Sequence, residues 1–451
     1  MQNIPKINDA SFRDPNGFVV ESNGEIYRLL NPKYNSTYDK FMTSGLYEAL
    51  VDEKIILEHE AINVTPGVEH AGKRSIRQVR IPLITYPYEW SFDMYKDAAL
   101  TTLRCQEIAY SFGMELQDAS AYNIQFYNSH PVLIDITSFI ETNFTQWRAY
   151  RQFCEHFVAP LALMAKKDLR LSSLMQSFID GIPLDLASSV MPKSTFGSFG
   201  LGLHIHAHAK MNSKKISNSE PKKIGLGKNL AMIDSLKGCI KGLETKQNTE
   251  WGKYYDDTNY SDTAFDSKKQ IVSEFINGHY PEVVVDLGAN DGVFSEIAAR
   301  NAFTISLDID PNAVNSLYNK KITNIQPVLG NIATPSPSIG WGNKERPGIL
   351  ERIKDQNAYI IALALVHHLR ITYGIPFEKQ FELLANLGRR VLVEYVSRND
   401  SQVKLMMNGR DESMYDDYHR GLFEKDATKY FTIKNCTQIE DSERVIYELH
   451  V

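Results

Sequence analysis

The chain has 451 residues, of which 43% are apolar and 23% charged, and a formal net charge of -6. At roughly 100–200 residues per domain this length implies two or three domains, and the apolar share excludes a disordered bulk state. The mild acidity leaves no electrostatic footprint for a nucleic-acid backbone, so nucleic acid is not an expected partner.

The amino terminus, MQNIPKINDASFRDPNG, lacks a basic start followed by an apolar run, and no stretch of about 18 uninterrupted apolar residues occurs. A cytoplasmic, non-spanning protein is expected. Cys105, Cys154, Cys239 and Cys436 are scattered without a CxxC pair, which predicts neither a disulfide framework nor a zinc knuckle. Residues 1–209 read as an α+β domain, with strands at GFVVES and EIYRLL and a mainly helical body from Ser91 onward.

Within that domain, GMELQDASAYNIQFYNSHPVLIDITSF places Asp118, Asn123 and Asp135 as D-x4-N, followed twelve residues later by an acid that ends an apolar strand. Phosphoryl transfer uses that order because one carboxylate must meet the acceptor hydroxyl while an amide and a second carboxylate hold magnesium against the phosphates. The stretch resembles the catalytic and metal-binding loops of the aminoglycoside and lipopolysaccharide kinase group. The resemblance implies a protein-kinase-like domain, with Asp118 as base, Asn123 and Asp135 as metal ligands, and Mg-ATP as its nucleotide. No HRD precedes Asp118, no glycine-rich nucleotide loop is evident, and EIYRLL offers Arg28 where a lysine is expected. The bland alternative is a strand-turn-strand in which Asp and Asn form turns. Further on, LHIHAHAK alternates His204, His206 and His208, so that a strand would point all three to one side and could collect a metal ion.

From Lys210 to about Asn229 the sequence is rich in Lys, Ser, Asn and Gly without apolar periodicity, and residues 210–259 read as a linker and helical connector. Beyond it, in residues 260–451, apolar runs alternate with helical patterns: VVV at Val283–Val285, then FTISLDI, NIQPVLG, AYIIALAL and RRVLVEYV. Strands joined mainly by helices predict a parallel sheet. TKYFTIKNC and ERVIYELHV, joined by the polar TQIEDS, predict an antiparallel pair at its edge.

VVVDLGANDGVFSEIAAR is a buried strand, a glycine-containing turn and an amphipathic helix in succession, which delivers a ligand to a helix N-terminus. About twenty residues after Asp286 the next strand ends at Asp308, where a carboxylate accepts both hydroxyls of a ribose. The third strand ends in LGNI, with Asn331 and Ile332 on the same carboxyl edge. A dinucleotide site would need GxGxxG, which DLGANDG does not supply. These blocks resemble the class I S-adenosylmethionine-dependent methyltransferases of Rossmann-like α/β fold. The resemblance implies that Asp286, Gly288 and Gly292 shape the methionine and ribose pocket, with Asn290 at the usual middle glycine, Asp308 on the ribose, and Asn331 and Ile332 flanking adenine.

After the fourth strand, ALVHHLRITYGIPF supplies His367 and His368 as candidate bases toward a methyl acceptor, with packing and capping as their structural alternative. The preceding loop offers Trp341, Glu345 and Arg346 as substrate contacts, and Glu394 and Asp400 stand in loop position on the same edge, with surface roles as their bland alternative. Together PYEWSF, DASAYNIQF, LGANDG and VHHL resemble bacterial methyltransferases related to a host-specific nodulation protein, over nearly the whole chain. The expected function is methyl transfer to an unidentified acceptor, such as a sugar, a glycolipid precursor or a phosphate. The alternatives are a nucleotide-sensing scaffold with a catalytically dead kinase-like domain, and a bifunctional kinase and methyltransferase.

Overall fold

A computed structural model describes residues 6–62, 74–212, 223–245 and 261–451. The chain divides into two compact units, Met1–Gln247 with Ser338–Arg346, and Asn248–Pro337 with Pro347–Val451. No helix among the described residues is long and apolar enough to cross a membrane.

The first unit opens with a five-stranded sheet. Its strands are β1 (Lys6–Ile7), β2 (Gly17–Ser22), β3 (Glu25–Leu30), β4 (His59–Ile62) and β5 (Arg74–Gln78). All neighbours are antiparallel, in the order β1-β2-β3-β5-β4. Two helices, Asn35–Thr43 and Leu46–Asp52, lie between β3 and β4 in the chain. The long helix Phe92–Ser111 leads into two small antiparallel pairs, the hairpin β7 (Ile124–Tyr127) with β8 (His130–Leu133), and the flanking β6 (Met114–Leu116) with β9 (Phe139–Glu141). The strands GFVVES and EIYRLL lie where the sequence predicts them, whereas β4 and β5 lack an apolar run to announce them. The four cysteines are free.

One expectation for this unit needs correction. His204, His206 and His208 do not lie on a strand: Gly202–Ala207 is π-helical and His208 begins an α-helix, so the rings diverge. His204 bonds Tyr150 Oη and Ser235 Oγ, both at 2.9 Å. His206 bonds Ser188 Oγ at 2.7 Å and Thr195 Oγ1 at 2.8 Å, and His208 stacks on Tyr150. Each ring is held by its own neighbours, and no shared metal position exists. The stretch 210–259 contains a helix. Residues 213–222 and 246–260 lie outside the described part, but Leu226–Lys241 is a helix packed on Phe92–Ser111, with Lys237 Nζ on Glu107 at 2.8 Å and Lys96 Nζ on the Lys241 carbonyl at 3.1 Å.

The second unit is a seven-stranded α/β sheet of Rossmann-like build. It comprises β10 (Val283–Leu287), β11 (Phe303–Asp308), β12 (Ile325–Leu329), β13 (Ala358–Ala362), β14 (Gly388–Tyr395), β15 (Thr432–Gln438) and β16 (Val445–His450), in the order β12-β11-β10-β13-β14-β16-β15. The first five are mutually parallel and the last two join antiparallel, as the apolar runs and the polar TQIEDS turn imply. The helix Asp262–His279 starts at Ser261, whose Oγ accepts the Ala264 N–H. It buries one stripe, Ala264, Lys268, Val272, Phe275 and Ile276. The apolar members of that stripe pack on Val284, Ile361, Leu392 and Ile446 of the sheet.

Candidate functional site

Because β10 to β14 are parallel, their carboxyl ends share one edge, and four of the turns that leave it carry the candidate residues. After β10 the chain turns through three left-handed residues, Gly288 (φ +78°), Asn290 (φ +49°) and Gly292 (φ +88°). The N–H groups of Gly288 and Ala289 bond the Leu307 carbonyl, which ties the turn to β11. A Cβ on Gly292 would lie 2.4 Å from Leu317 Cδ1, so this glycine is required by packing; one on Gly288 would meet only Leu365, at 3.6 Å. Asp286 is buried and accepts the Ser295 hydroxyl at 2.7 Å. It braces the strand-to-helix turn from beneath.

Asp308 ends β11. Its Oδ2 accepts the Asn290 N–H at 2.7 Å and its Oδ1 the Asp310 N–H at 2.8 Å. A third backbone N–H, that of Ile309, also bonds this carboxylate; with about four lone-pair positions, acceptor capacity remains for a ligand hydroxyl. Burial pushes both Asp286 and Asp308 up to about 6. At the end of β12, Asn331 Oδ1 accepts the Ala333 N–H at 2.9 Å while its Nδ2 donates to Tyr373 Oη at 3.0 Å. Ile332 beside it is buried. The turn, Asp308, Asn331 and Ile332 are therefore on one edge, where an acceptor carboxylate and a left-handed backbone turn stand together.

After β13, His367 and His368 occupy the first turn of the short helix Val366–Ile371, with ring centroids 4.3 Å apart. His367 is 2% exposed, and its Nδ1 has no hydrogen-bond partner among the described residues. Burial lowers both imidazoles, His367 well below the ordinary value with help from its neighbour His368, and His368 to about 4 with help from Arg444. Both are neutral at pH 7. Glu394 and Asp400 are not surface groups: Glu394 is fully buried, 2.7 Å from Lys268 Nζ, and the Asp400 carboxylate holds Arg444 Nε at 2.8 Å. Sequence reasoning missed Lys268 and Arg444 altogether.

The preceding loop departs from its expected role, since Ser338–Arg346 belongs to the first unit. There Glu345 receives a two-pronged bond from Arg13, at 2.6 and 3.0 Å, and Arg346 lies over the Tyr122 ring at 4.7 Å. Both are spent internally, while Trp341 remains 78% exposed.

Asp118, Asn123 and Asp135 do converge in the first unit. Asp118 accepts the Ser120 N–H at 2.9 Å and the Gln152 amide at 2.7 Å. Burial, and then the charge of Asp135, raise its carboxyl above the usual range. Asn123 Nδ2 reaches Ser138 Oγ at 3.4 Å, and that hydroxyl donates to Asp135 at 2.6 Å. Asp135 does not fit a magnesium ligand here. Arg28 Nη1 lies 2.8 Å from Asp135 Oδ1, and Asp135 further accepts the Thr137 N–H and lies 2.5 Å from the Thr137 hydroxyl. Despite burial, Arg28 holds the Asp135 carboxyl below its usual value. A guanidinium thus supplies the positive charge that a metal would bring.

Among the described residues, one group of three has metal-ligating atoms within 4.8 Å of one another: His279, Glu448 and His450, toward the opposite edge of the second unit's sheet. Glu448 Oε1 lies 2.8 Å from His279 Nε2 and 2.6 Å from His450 Nε2. Arg390 Nη1 lies 3.0 and 2.7 Å from the same two nitrogens, so here too a guanidinium stands in the cation's place.

No family model matches the chain. It is 31% identical over 460 residues to the nodulation protein NoeA of Rhizobium meliloti (strain 1021), across 97% of this chain and 94% of that protein. Among solved structures it is similar to the N-methyltransferase NodS of Bradyrhizobium japonicum WM9 in complex with S-adenosyl-L-homocysteine, at 10% identity and TM-score 0.31, covering 45% of this chain and 92% of that one. It is also similar to the magnesium protoporphyrin IX methyltransferase of Synechocystis PCC 6803 with bound SAM, at 14% identity and TM-score 0.30, covering 45% and 89%.

Proposed function

The chain belongs to the family of the nodulation protein NoeA, and from that premise we propose that its second unit is a cytoplasmic S-adenosylmethionine-dependent methyltransferase acting on a small-molecule or glycan-type acceptor. The observation that carries this reading is Asp308, a buried carboxylate with acceptor capacity to spare, facing a left-handed glycine turn at the carboxyl edge of a parallel sheet. The terminal antiparallel pair also favours it over a dinucleotide oxidoreductase.

In this reading Asp308 takes a ribose hydroxyl, Gly288 and Asn290 bring backbone close to the methionine part, and Asn331 with Ile332 flank adenine. The bound cofactor supplies an electrophilic methyl group. The chain supplies placement: the acceptor must lie in line with that methyl, and proximity alone accounts for a large share of such rate enhancements. The imidazoles of His367 and His368 stand after β13; His368, the less buried of the two, is the one placed to take a proton from a hydroxyl acceptor, while burial opposes protonation of His367. A phosphate acceptor, already ionised, would need neither.

The first unit is read as a kinase-like domain, because two helices separate β3 from β4 and the antiparallel pairs β6·β9 and β7·β8 frame Asp118, Asn123 and Asp135. With Arg28 beside Asp135, phosphoryl transfer from Mg-ATP is not part of the proposal.

Calorimetry with S-adenosylhomocysteine tests the reading. Micromolar affinity, about -8 kcal/mol, is expected, with a loss of roughly 1.5–3 kcal/mol in Asp308→Ala. Heat with a nicotinamide dinucleotide and none with S-adenosylhomocysteine would sink it.

A further inference from the structure

The proposed acceptor edge has a backbone feature that the residues nearest to it do not explain. Ala364, between β13 and the histidine helix, has φ +50°, a left-handed conformation that an alanine rarely adopts. Strain of this kind persists only where surrounding structure imposes it.

The surrounding structure is a buried set of charges drawn from separate elements. Glu394, on β14, is fully buried, and its Oε2 accepts the Ala364 N–H at 2.8 Å. The same oxygen lies 2.7 Å from Lys268 Nζ on the helix Asp262–His279. Its other oxygen faces Arg444 Nη1 at 3.4 Å, and Arg444 in turn holds Asp400 at 2.8 Å. Two cations face Glu394 and Asp400, and the charge of Asp286 also acts on Lys268, so opposite charges lie together in the buried set, which is how buried charges are tolerated. A bond from a backbone N–H to a carboxylate is stronger than one to a neutral acceptor, and this one acts on the residue with the strained backbone.

We infer that Glu394 is a positioning residue: through the Ala364 N–H its carboxylate fixes the turn after β13 in the left-handed form that sets His367 and His368 at the carboxyl edge. Lys268 and Arg444 hold that carboxylate in place. Burial first, and then the charges of His368, Arg444 and Lys268, lower the His367 imidazole. The assignment rests on the methyltransferase reading for its purpose, but the turn it describes does not.

The test uses the full chain with histidine labelled at 13Cε1, the signals of His367 and His368 being identified by their loss in His367→Gln and His368→Gln. In Glu394→Gln and in Ala364→Val, which excludes the left-handed backbone without touching the charges, both signals should move from their wild-type positions. The remaining histidine signals should stay. Unmoved His367 and His368 signals in a folded Glu394→Gln protein would overturn the assignment. If Glu394→Gln fails to fold, Ala364→Val decides: displaced signals support the positioning turn, and unmoved ones refute it. If the signals move but wild-type protein gives no heat with S-adenosylhomocysteine, the methyltransferase reading falls and the positioning role of Glu394 stands.

Discussion

Gly288 and Gly292 both occupy the turn after β10, and both are left-handed, so a motif treats them alike. The space around them differs. An alanine at either position incurs the left-handed penalty of about 1–2 kcal/mol. At Gly288 the new methyl would meet Leu365 at 3.6 Å, an ordinary contact. At Gly292 it would lie 2.4, 2.9 and 3.1 Å from Leu317 Cδ1, Cδ2 and Cγ. Leu317 is 2% exposed and packed with Ala299 and Ile325, so it has nowhere to retreat. Overpacking of that kind adds about 1–3 kcal/mol. Gly292→Ala should therefore cost roughly 2–5 kcal/mol and Gly288→Ala only about 1–2. Urea-dependent hydrogen exchange, read on peptides covering residues 283–319, reports the stability of this unit alone. Equal losses, or a larger one in Gly288→Ala, would refute the packing argument and return Gly292 to a purely ligand-facing role.

Burial raises Asp308 to about 6, so the ionised form that accepts a ribose hydroxyl is the minority below that pH. S-adenosylhomocysteine should bind about tenfold more weakly at pH 5 than at pH 7 by calorimetry, and Asp308→Asn should remove most of that dependence. Since the folded-state value is raised, this carboxyl favours folding below the unfolded-state value and loses that contribution as pH rises through 6. In the first unit, Arg28→Ala leaves Asp135 buried without its cation and should destabilise that unit by about 3–5 kcal/mol; a loss under 1 kcal/mol in urea melts followed by Trp90 and Trp147 would show the pair to be incidental. Arg390→Ala should open the His279, Glu448 and His450 set to Co2+, seen as visible absorption that the wild-type protein lacks; an unchanged spectrum would mean that the three ligands relax when the guanidinium leaves.

How much was legible in the sequence follows from how locally each feature is encoded. Val283–Leu287 is buried along almost its whole length, as a strand between parallel neighbours must be, and opens with the apolar run VVV before Asp286. The glycine turn and Asp308 were legible because turn chemistry is local. β4 and β5 were not, since HEAI and RSIRQ are largely exposed and paired through Arg77 with Glu60 and Glu25. The period of two in His204, His206 and His208 mimicked a strand, but the stretch is helical and each ring found its own partners. Glu345 joins Arg13 across 332 residues, and nothing local announces such a contact. The cluster around Glu394 is similar, because each member alone resembles a solvated charge. One signal did exist: Lys268 sits on the stripe of Ala264, Val272 and Ile276, where a solvated lysine has no place.

Transfer of the labelled methyl from S-adenosylmethionine into small-molecule and glycan fractions of a cell extract tests the central claim most directly. The account predicts label in an acceptor fraction with wild-type protein, and its loss with Asp308→Ala. Label transferred equally by the Asp308→Ala protein, or none transferred by a wild-type protein that binds the cofactor, would contradict it.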